Sequence, residues 1–276
     1  MSFFTSLSGL KAAQTDLNVI SNNVANTNST GFKKSRAQFG DLFAASPTQT
    51  TKTVAGQGVR LTGITQQFTQ GTLQGTDKTL DLAIAGDGFF SVRGQPPRQG
   101  LSFTRNGSFA VNVDREVVDT TGAKAQLLPV DASGVATSTN VADMYDFVVP
   151  DVDPGDPAAL LTNIAINGEG VVSATFSNGN QIQLGALAMA SFNSIEGLRP
   201  VGDAHWLATG DSGPAQVNQA ANGPLGQVRS GSLELANVDI TEELVSLISA
   251  QRNFQANAQA IETANTLSQT IINLQV

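Results

Sequence analysis

NNVANTNSTGFKK, residues 22–34, is where one kind of sequence ends and another begins. Upstream, Phe3, Leu7, Leu10, Ala13, Leu17, Ile20 and Val24 recur at steps of three and four. That is a period of about 3.5, which belongs to a coiled-coil seam rather than to a free helix of about 3.6. The pattern runs into Asn22, Asn23, Asn26 and Asn28, then Thr30, Gly31, Phe32 and two lysines, Lys33 and Lys34. Asparagine side chains compete with the helix for backbone groups, and glycine permits a turn. The stretch therefore ends a helix, Gly31 turns the chain, and Phe32 anchors the linker. The amides of Asn23 and Asn26 are expected to bond to neighbouring chains as well; the plainer reading is that they only cap and turn. Gly9 weakens the helix by about 1 kcal/mol relative to alanine, which suits a place where another backbone comes close.

The other end of the chain mirrors this one. Ser232 to Val276 holds no glycine and no proline. Asp239 followed by Glu242 reads as a capping-box-like start. Ile240, Leu244, Leu247, Gln251, Phe254, Ala258, Ile261, Ala264, Leu267, Ile271 and Leu274 then recur at steps of three and four. A helix over 240–276 would be about 55 Å long at about 1.5 Å per residue. Its polar face is carboxamide and hydroxyl, with Gln251, Asn253, Gln255, Asn257 and Gln259 leading, where a helix meant for water usually carries charges. Such groups suit contacts with further chains.

Between the helices the signals change. Residues 31–75 are rich in Thr, Gln and Gly and read as an extended linker with short strands. From 76 to 236 the pattern is β: AGDGFFSV (85–92), FTRNGSFAV (103–111) with a hairpin signal at Asn106-Gly107, further turns at Asn167-Gly168 and Asn178-Gly179, and LGALAMASF (184–192). Residues 129–160, rich in Pro and Asp, read as a surface loop or small insertion. The expected fold is α+β: terminal helices over 1–30 and 237–276, paired as a coiled coil, flanking an inserted mainly-β domain reached by the linker. Helices lying on the β domain as amphipathic covers are the alternative.

Composition narrows the function. The net charge is −8, only 14% of the 276 residues are charged, and cysteine is absent. An acidic chain without a basic patch is a poor nucleic-acid binder, and without cysteine there is neither a disulfide framework nor a thiolate metal site. No apolar run is long enough to cross a bilayer, and MSFFTSLSGLKAA has no basic segment ahead of an apolar one, unlike a general secretory signal peptide. A surface short of charge can be buried against copies of itself at low desolvation cost.

Catalytic signals are missing. The one histidine, His205, adjoins the one tryptophan, Trp206, with no second histidine or spaced ligand set, and reads as a packed or hydrogen-bonded residue. DVDPGD, Asp151 to Asp156, lacks the downstream glutamate of a calcium loop and reads as a solvated acidic loop. Lys33, Lys34 and Arg36 read as a solvated junction or as partners for acidic groups on a neighbouring chain. No cofactor, metal or enzyme activity is expected. A secreted β-rich binding protein would be the competing class, but it has no use for the two terminal seams.

With those residues in view, the chain resembles the flagellar rod and hook family of axial proteins. The family's N-terminal signature is a helix running into an Asn-rich stretch that ends in threonine, glycine and phenylalanine, matched by Asn22, Asn23, Asn26, Thr30, Gly31 and Phe32. LDLAIAGDGFFSV with FTRNGSF (80–109) is similar to its central motif. GSLELANVDITEELVSLISAQRNFQANAQAIET (231–263) is similar to its C-terminal motif. The wording of 58–76 and 250–261 and the short stretch from Ser46 to Gln57 resemble the hook side of the family; the small middle domain resembles the distal rod side. The resemblance implies a structural subunit that polymerises into a hollow, flexible tube, a universal joint between rod and filament, or else a rigid distal rod. It implies as partners many copies of itself, rod proteins, a hook cap, hook–filament junction proteins and the flagellar type III export machinery. It implies export without a cleaved signal peptide and residence in the basal body and hook, without membrane insertion. It also implies that Leu7, Leu10, Leu17, Ile20, Asn23, Val24, Asn26, Gly31, Phe32, Leu244, Leu247, Gln251, Asn253, Phe254 and Ile261 pack subunits together.

Overall fold

The N-terminal apolar run folds as α1, Ser2–Ala25, and the C-terminal run as α2, Ile240–Leu274. At 35 residues α2 is about 52 Å long. The computed structural model describes residues 2–43, 56–94 and 100–274. They divide into two units, each built from separate stretches of chain. The first holds Met1–Thr27, Lys34–Gln67 and Val238–Val276; the second holds Asn28–Lys33 and Phe68–Asn237. The chain therefore passes between units at 27/28, 33/34, 67/68 and 237/238. The stretch expected to be one linker, 31–75, is shared between both units.

In the first unit α1 and α2 lie against each other. A Cβ on Gly9 would stand 2.6 Å from Asn257 Oδ1, so the glycine is there for proximity. α1 buries Ala13, Val19 and Ile20; α2 buries Ala250 and half-buries Leu247, Phe254, Ala258, Ile261 and Ala264. The end of α1 is tied off by carboxamide and hydroxyl groups: Asn26 Nδ2 donates to Asn22 O at 2.9 Å, and Thr27 Oγ1 to Val24 O at 2.9 Å. Asp239 caps α2, its Oδ1 accepting from the Thr241 and Glu242 amides at 2.8 and 3.2 Å. The expected capping box is half made, since Glu242 turns to Lys34 at 3.3 Å instead.

The short strands expected after the signature are longer than the sequence suggests. Ser35–Phe43 (β1) and Gly56–Gln66 (β2) pair antiparallel over nine and eleven residues. A register shift after Gln38 sets Phe39 opposite Leu61, while Ala37 faces Ile64. Most of the Ser46 to Gln57 stretch lies outside the described residues.

The second unit is a β body around two apolar clusters. Its main sheet runs through neighbouring strands Val152–Asp153, Asp156–Ile166, Val171–Phe176, Gln181–Leu187, Lys124–Leu128, Phe89–Gly94, Gly100–Thr104, His205–Leu207 and Arg199–Gly202. One cluster gathers Leu82, Ile84, Phe90, Val92, Leu127 and Phe147; the other stacks Phe89, Phe103, Phe192 and Trp206 edge to face. Each such side chain removed from water stabilises the fold by about 1.5–3 kcal/mol. Residues 129–160 are not merely a surface loop: Phe147 and Val149 are buried in the first cluster, and the stretch holds short strands. Alternation puts these two on the inner side, and Asp153 of the same stretch is buried as well.

Four turns of this body share one design. Asn112, Asp119, Asp131 and Asn167 each accept, through Oδ1, the amide four residues on, at 2.8, 2.9, 2.9 and 2.8 Å. The residue three positions on is left-handed in every case: Arg115, Gly122, Gly134 and Gly170. Arg115 holds that conformation while its guanidinium binds the Val149 and Pro150 carbonyls and pairs with Asp151. The turns at Asn167-Gly168 and Asn178-Gly179 are the expected hairpins. Asn106-Gly107 is not one. The strands flanking it pair elsewhere, and a Cβ on Gly107 would fall 1.7 Å from Leu82 O. Its glycine serves close passage of two backbones, a long-range need that a local turn signal cannot reveal. Gly107→Ala is therefore expected to destabilise the protein by about 2 kcal/mol or more. Gly63→Ala, with nothing within 4 Å, should change stability by no more than about 0.5 kcal/mol. Urea denaturation of the two variants checks this.

Candidate functional site

The Asn-rich signature is consumed on both sides of a chain crossing. In the first unit Asn23, 2% exposed, uses its whole carboxamide within the chain. Oδ1 accepts the Ser35 amide at 2.9 Å, while Nδ2 donates to Ser35 O at 2.9 Å and to Glu243 Oε2 at 3.2 Å. A side chain with one acceptor and two donors matches a strand's backbone pair and a carboxylate at once. α1, the start of β1 and the first turn of α2 are thus held by one residue.

In the second unit Lys33, Glu234 and Arg105 form a buried ionic cluster. Their side chains are 0, 0 and 3% exposed. Glu234 Oε1 accepts Lys33 Nζ at 2.7 Å and the Gly71 amide at 2.9 Å; Oε2 accepts Arg105 Nη1 at 3.2 Å. Glu234 O takes the Gly31 amide at 2.8 Å. Lys33 Nζ also donates to Thr69 O at 2.8 Å, and the Asn237 amide bonds the same threonine. The Arg105 guanidinium lies over the Phe89 ring, 5.4 Å from its centroid. Burial pushes the Lys33 ammonium below its ordinary range; the Glu234 carboxylate opposes that shift. The expectation of a solvated junction at Lys33 is overturned. Its partner lies 201 residues away, a separation at which no local pattern signals the pair. Lys34 is half-buried and pairs with the exposed Glu242 at 3.3 Å.

His205 and the acidic loop are structural. Both ring nitrogens of His205 face acceptors: Nε2 meets Asp119 Oδ2 at 2.7 Å and Nδ1 meets Asp203 O at 2.9 Å. Asp153 binds the Gly155 amide, Asn178 and Asn180. No group of three or more metal-ligating side chains occurs among the described residues.

The anticipated packing residues separate into three groups. Leu7, Leu10, Leu17, Val24, Asn26, Leu247, Phe254 and Ile261 are half-buried and Ile20 buried, all within the first unit. Gly31 and Phe32 belong to the second unit, where Gly31 touches the Arg105–Asn106 backbone. Leu244, Gln251 and Asn253 are exposed on α2. Sequence reasoning missed Glu234 and Arg105, because nothing local sets them apart from the other charges of their motifs.

Lys33→Met should cost about 3–5 kcal/mol by leaving a buried carboxylate half-compensated. Glu234→Gln should cost more, because two buried cations lose their common counter-charge; urea denaturation that ranks them the other way contradicts the cluster's role. For Asp119, burial raises the carboxyl pKa but hydrogen bonds from His205 and Thr121 outweigh it, so the folded-state value is lowered. The stability this supplies is complete above the ordinary carboxylate range and is lost as pH falls through the folded value. Asp119→Asn should flatten that acid limb of a stability-versus-pH curve.

Three family descriptions match the chain in order. They are "Flagella basal body rod protein" over 4–33, "Flagellar hook protein FlgE/F/G D1 domain" over 83–174 and "Flagellar basal body rod FlgEFG protein C-terminal" over 229–274. Lys33, Arg105 and Glu234 each fall in a different one. The chain is 32% identical to the flagellar basal-body rod protein FlgG of Borreliella burgdorferi over 276 residues, covering 96% of this chain and 94% of that protein. It is 31% identical to FlgG of Bacillus subtilis over 285 residues, at 99% and 98% coverage. It is 28% identical to the flagellar hook protein FlgE of Salmonella typhimurium over 413 residues, at 99% and 100%. A crystal structure of the Helicobacter pylori flagellar hook protein FlgE2 aligns with 53% of this chain and 38% of that chain at 13% identity, with a TM-score of only 0.24. A helix ending in the Asn-rich signature, a β body closed on Glu234 and a long C-terminal helix, together with these full-length relatives, show that the chain belongs to the family of flagellar hook and basal-body rod proteins, which are structural components of the flagellum and not enzymes.

Proposed function

We propose that this protein is a hook subunit, polymerising into a hollow, flexible tube that passes torque from rod to filament. The observation that carries the reading is the apolar surface left on α2. Ile240, Leu244, Val245 and Ile248 are 44–61% exposed, and Leu267, Ile271 and Ile272 are 59–63% exposed. These side chains recur on a helix whose other face is already covered by α1. Contiguous apolar surface of this kind marks a contact with another chain. In the assembled state α1 and α2 pair as a coiled coil. Leu7, Leu10, Leu17, Ile20 and Val24 of α1 meet Leu247, Phe254 and Ile261 of α2 in the seam. Leu244, Gln251 and Asn253 face neighbouring copies. The carboxamides of α2 suit an inner wall, since they donate and accept without a strong field that would hold passing protein. Compliance comes from many weak polar contacts between β bodies, each about 1 kcal/mol or less.

The hook assignment rests on the hook-like wording of 58–76 and 250–261. A second reading, distal rod protein, has its own support. The two rod relatives align over 276 and 285 residues. The Salmonella hook protein needs 413 alignment positions against a chain of 276 residues. In either reading the partners are copies of this chain, the adjoining axial proteins and the flagellar export machinery.

The surface claim is tested on the purified full-length chain. Leu244→Ser with Ile248→Ser should leave the melting temperature nearly unchanged and raise the concentration needed for polymers by roughly tenfold or more, the equivalent of about 1.4 kcal/mol. Sedimentation and negative-stain microscopy read this out. Polymerisation at the unmodified concentration contradicts the proposal.

A further inference from the structure

The chain holds four Asn-Gly pairs, at Asn106, Asn167, Asn178 and Asn222. Glycine offers no side chain to hinder attack by its own amide nitrogen on the preceding carboxamide. The fold treats the four pairs differently. Asn106 is buried and its Oδ1 accepts the Ser108 amide at 3.1 Å. Asn167 Oδ1 accepts two backbone amides, at 3.0 and 2.8 Å. Asn178 is clamped at both ends of its amide, by Asp153 Oδ2 and by the Asn180 amide, each at 2.9 Å. Its nucleophile is tied as well, since the Gly179 amide donates to Phe176 O at 2.9 Å.

Asn222 differs on every count. It is exposed, and its side chain makes one bond, Nδ2 to Oδ1 of Asn218 at 3.3 Å, at the half-buried end of the strand Gln216–Asn218. Among the described residues no hydrogen bond holds Asn222 Oδ1 or the Gly223 amide. Ala221 and Gly223 on either side both sit in the left-handed region, φ 60° and 62°. A non-glycine residue held there stores backbone strain.

We propose that Asn222 is a site of spontaneous covalent modification, at which the folded protein deamidates to aspartyl and isoaspartyl forms. The Gly223 nitrogen, giving its proton to solvent, bonds to Asn222 Cγ; the Cγ–Nδ2 bond breaks and the nitrogen leaves as ammonia. The resulting cyclic imide takes up one water at either carbonyl and opens to aspartate or isoaspartate. Water enters, ammonia leaves, and no oxidant or reductant is involved. The consequence lies in the core. The Asn222 turn seats Leu225, which is buried in the larger apolar cluster, and is closed by Ala221 N to Gly226 O at 2.9 Å and Gly226 N to Asp87 O at 2.8 Å. An isoaspartyl link lengthens the backbone by one carbon just before Leu225. The modification therefore adds a negative charge to an acidic surface and loosens a core residue.

The test is ageing of the purified full-length protein at mildly alkaline pH, followed by proteolysis, mass spectrometry and labelling by an isoaspartyl methyltransferase. In the native protein Asn222 should convert several times faster than Asn106, Asn167 or Asn178. In the urea-unfolded chain the four should converge, because only the fold distinguishes them. The aged protein should melt at a lower temperature than fresh protein, while Asn222→Ser protein keeps its melting temperature. Native conversion at Asn167 or Asn178 as fast as at Asn222, or an equal loss of melting temperature in Asn222→Ser, overturns the proposal.

Discussion

One buried carboxylate governs how this chain closes. Glu234 is shared by Lys33 and Arg105, all three out of water, and its own carbonyl takes the Gly31 amide. Stripping water from three charges is expensive, and an apolar trio of similar size is often as stable or more so. What the ionic cluster adds is selectivity. A carboxylate with two cations and the Gly71 amide around it accepts one arrangement of four separate segments. Those segments, around residues 31–33, 69–71, 105 and 234–237, include the second unit's side of three of the four chain crossings. A mispaired strand would strand a charge in an apolar core, a far larger penalty than a lost apolar contact.

The first unit answers with a smaller polar knot. Asn23 binds Ser35 twice and Glu243 once, Lys34 pairs with Glu242, and the Gln67 amide bonds Lys34 O. The Asn-rich stretch is therefore not a helix end in need of a glycine. It is a junction where a helix stops, a strand starts and a second helix arrives. A carboxamide, with donor and acceptor on one short stem, can serve all three. Apolar seams bring α1 and α2 together, and the amide decides where along them the hairpin attaches.

Much of this was legible in the sequence for a physical reason: helices announce themselves through short-range periodicity. The 3.5-residue recurrence from Phe3 to Val24, and its counterpart beyond Ile240, needed only neighbours three and four positions away. The hairpins at Asn167 and Asn178 were equally local. Asn106-Gly107 carried the same signal and misled, because its geometry is dictated by the passing Leu82 backbone. Residues 129–160 looked like a loop because their prolines and aspartates outnumber Phe147 and Val149, yet those two decide where the segment sits. Lys33 looked solvated because exposure is the ordinary state of lysine. On α2 the apolar positions were visible in advance. Which of them stay exposed, Leu244 but not Leu247 or Phe254, depends on where α1 lies.

In the proposed role, this chain builds the flexible joint of the flagellar axis. Electron microscopy of basal bodies purified from cells lacking the gene tests it most directly. Complete rods with rings and no curved hook are the predicted result. Bodies that stop before the distal rod, or bodies with rod and hook both intact, would contradict it.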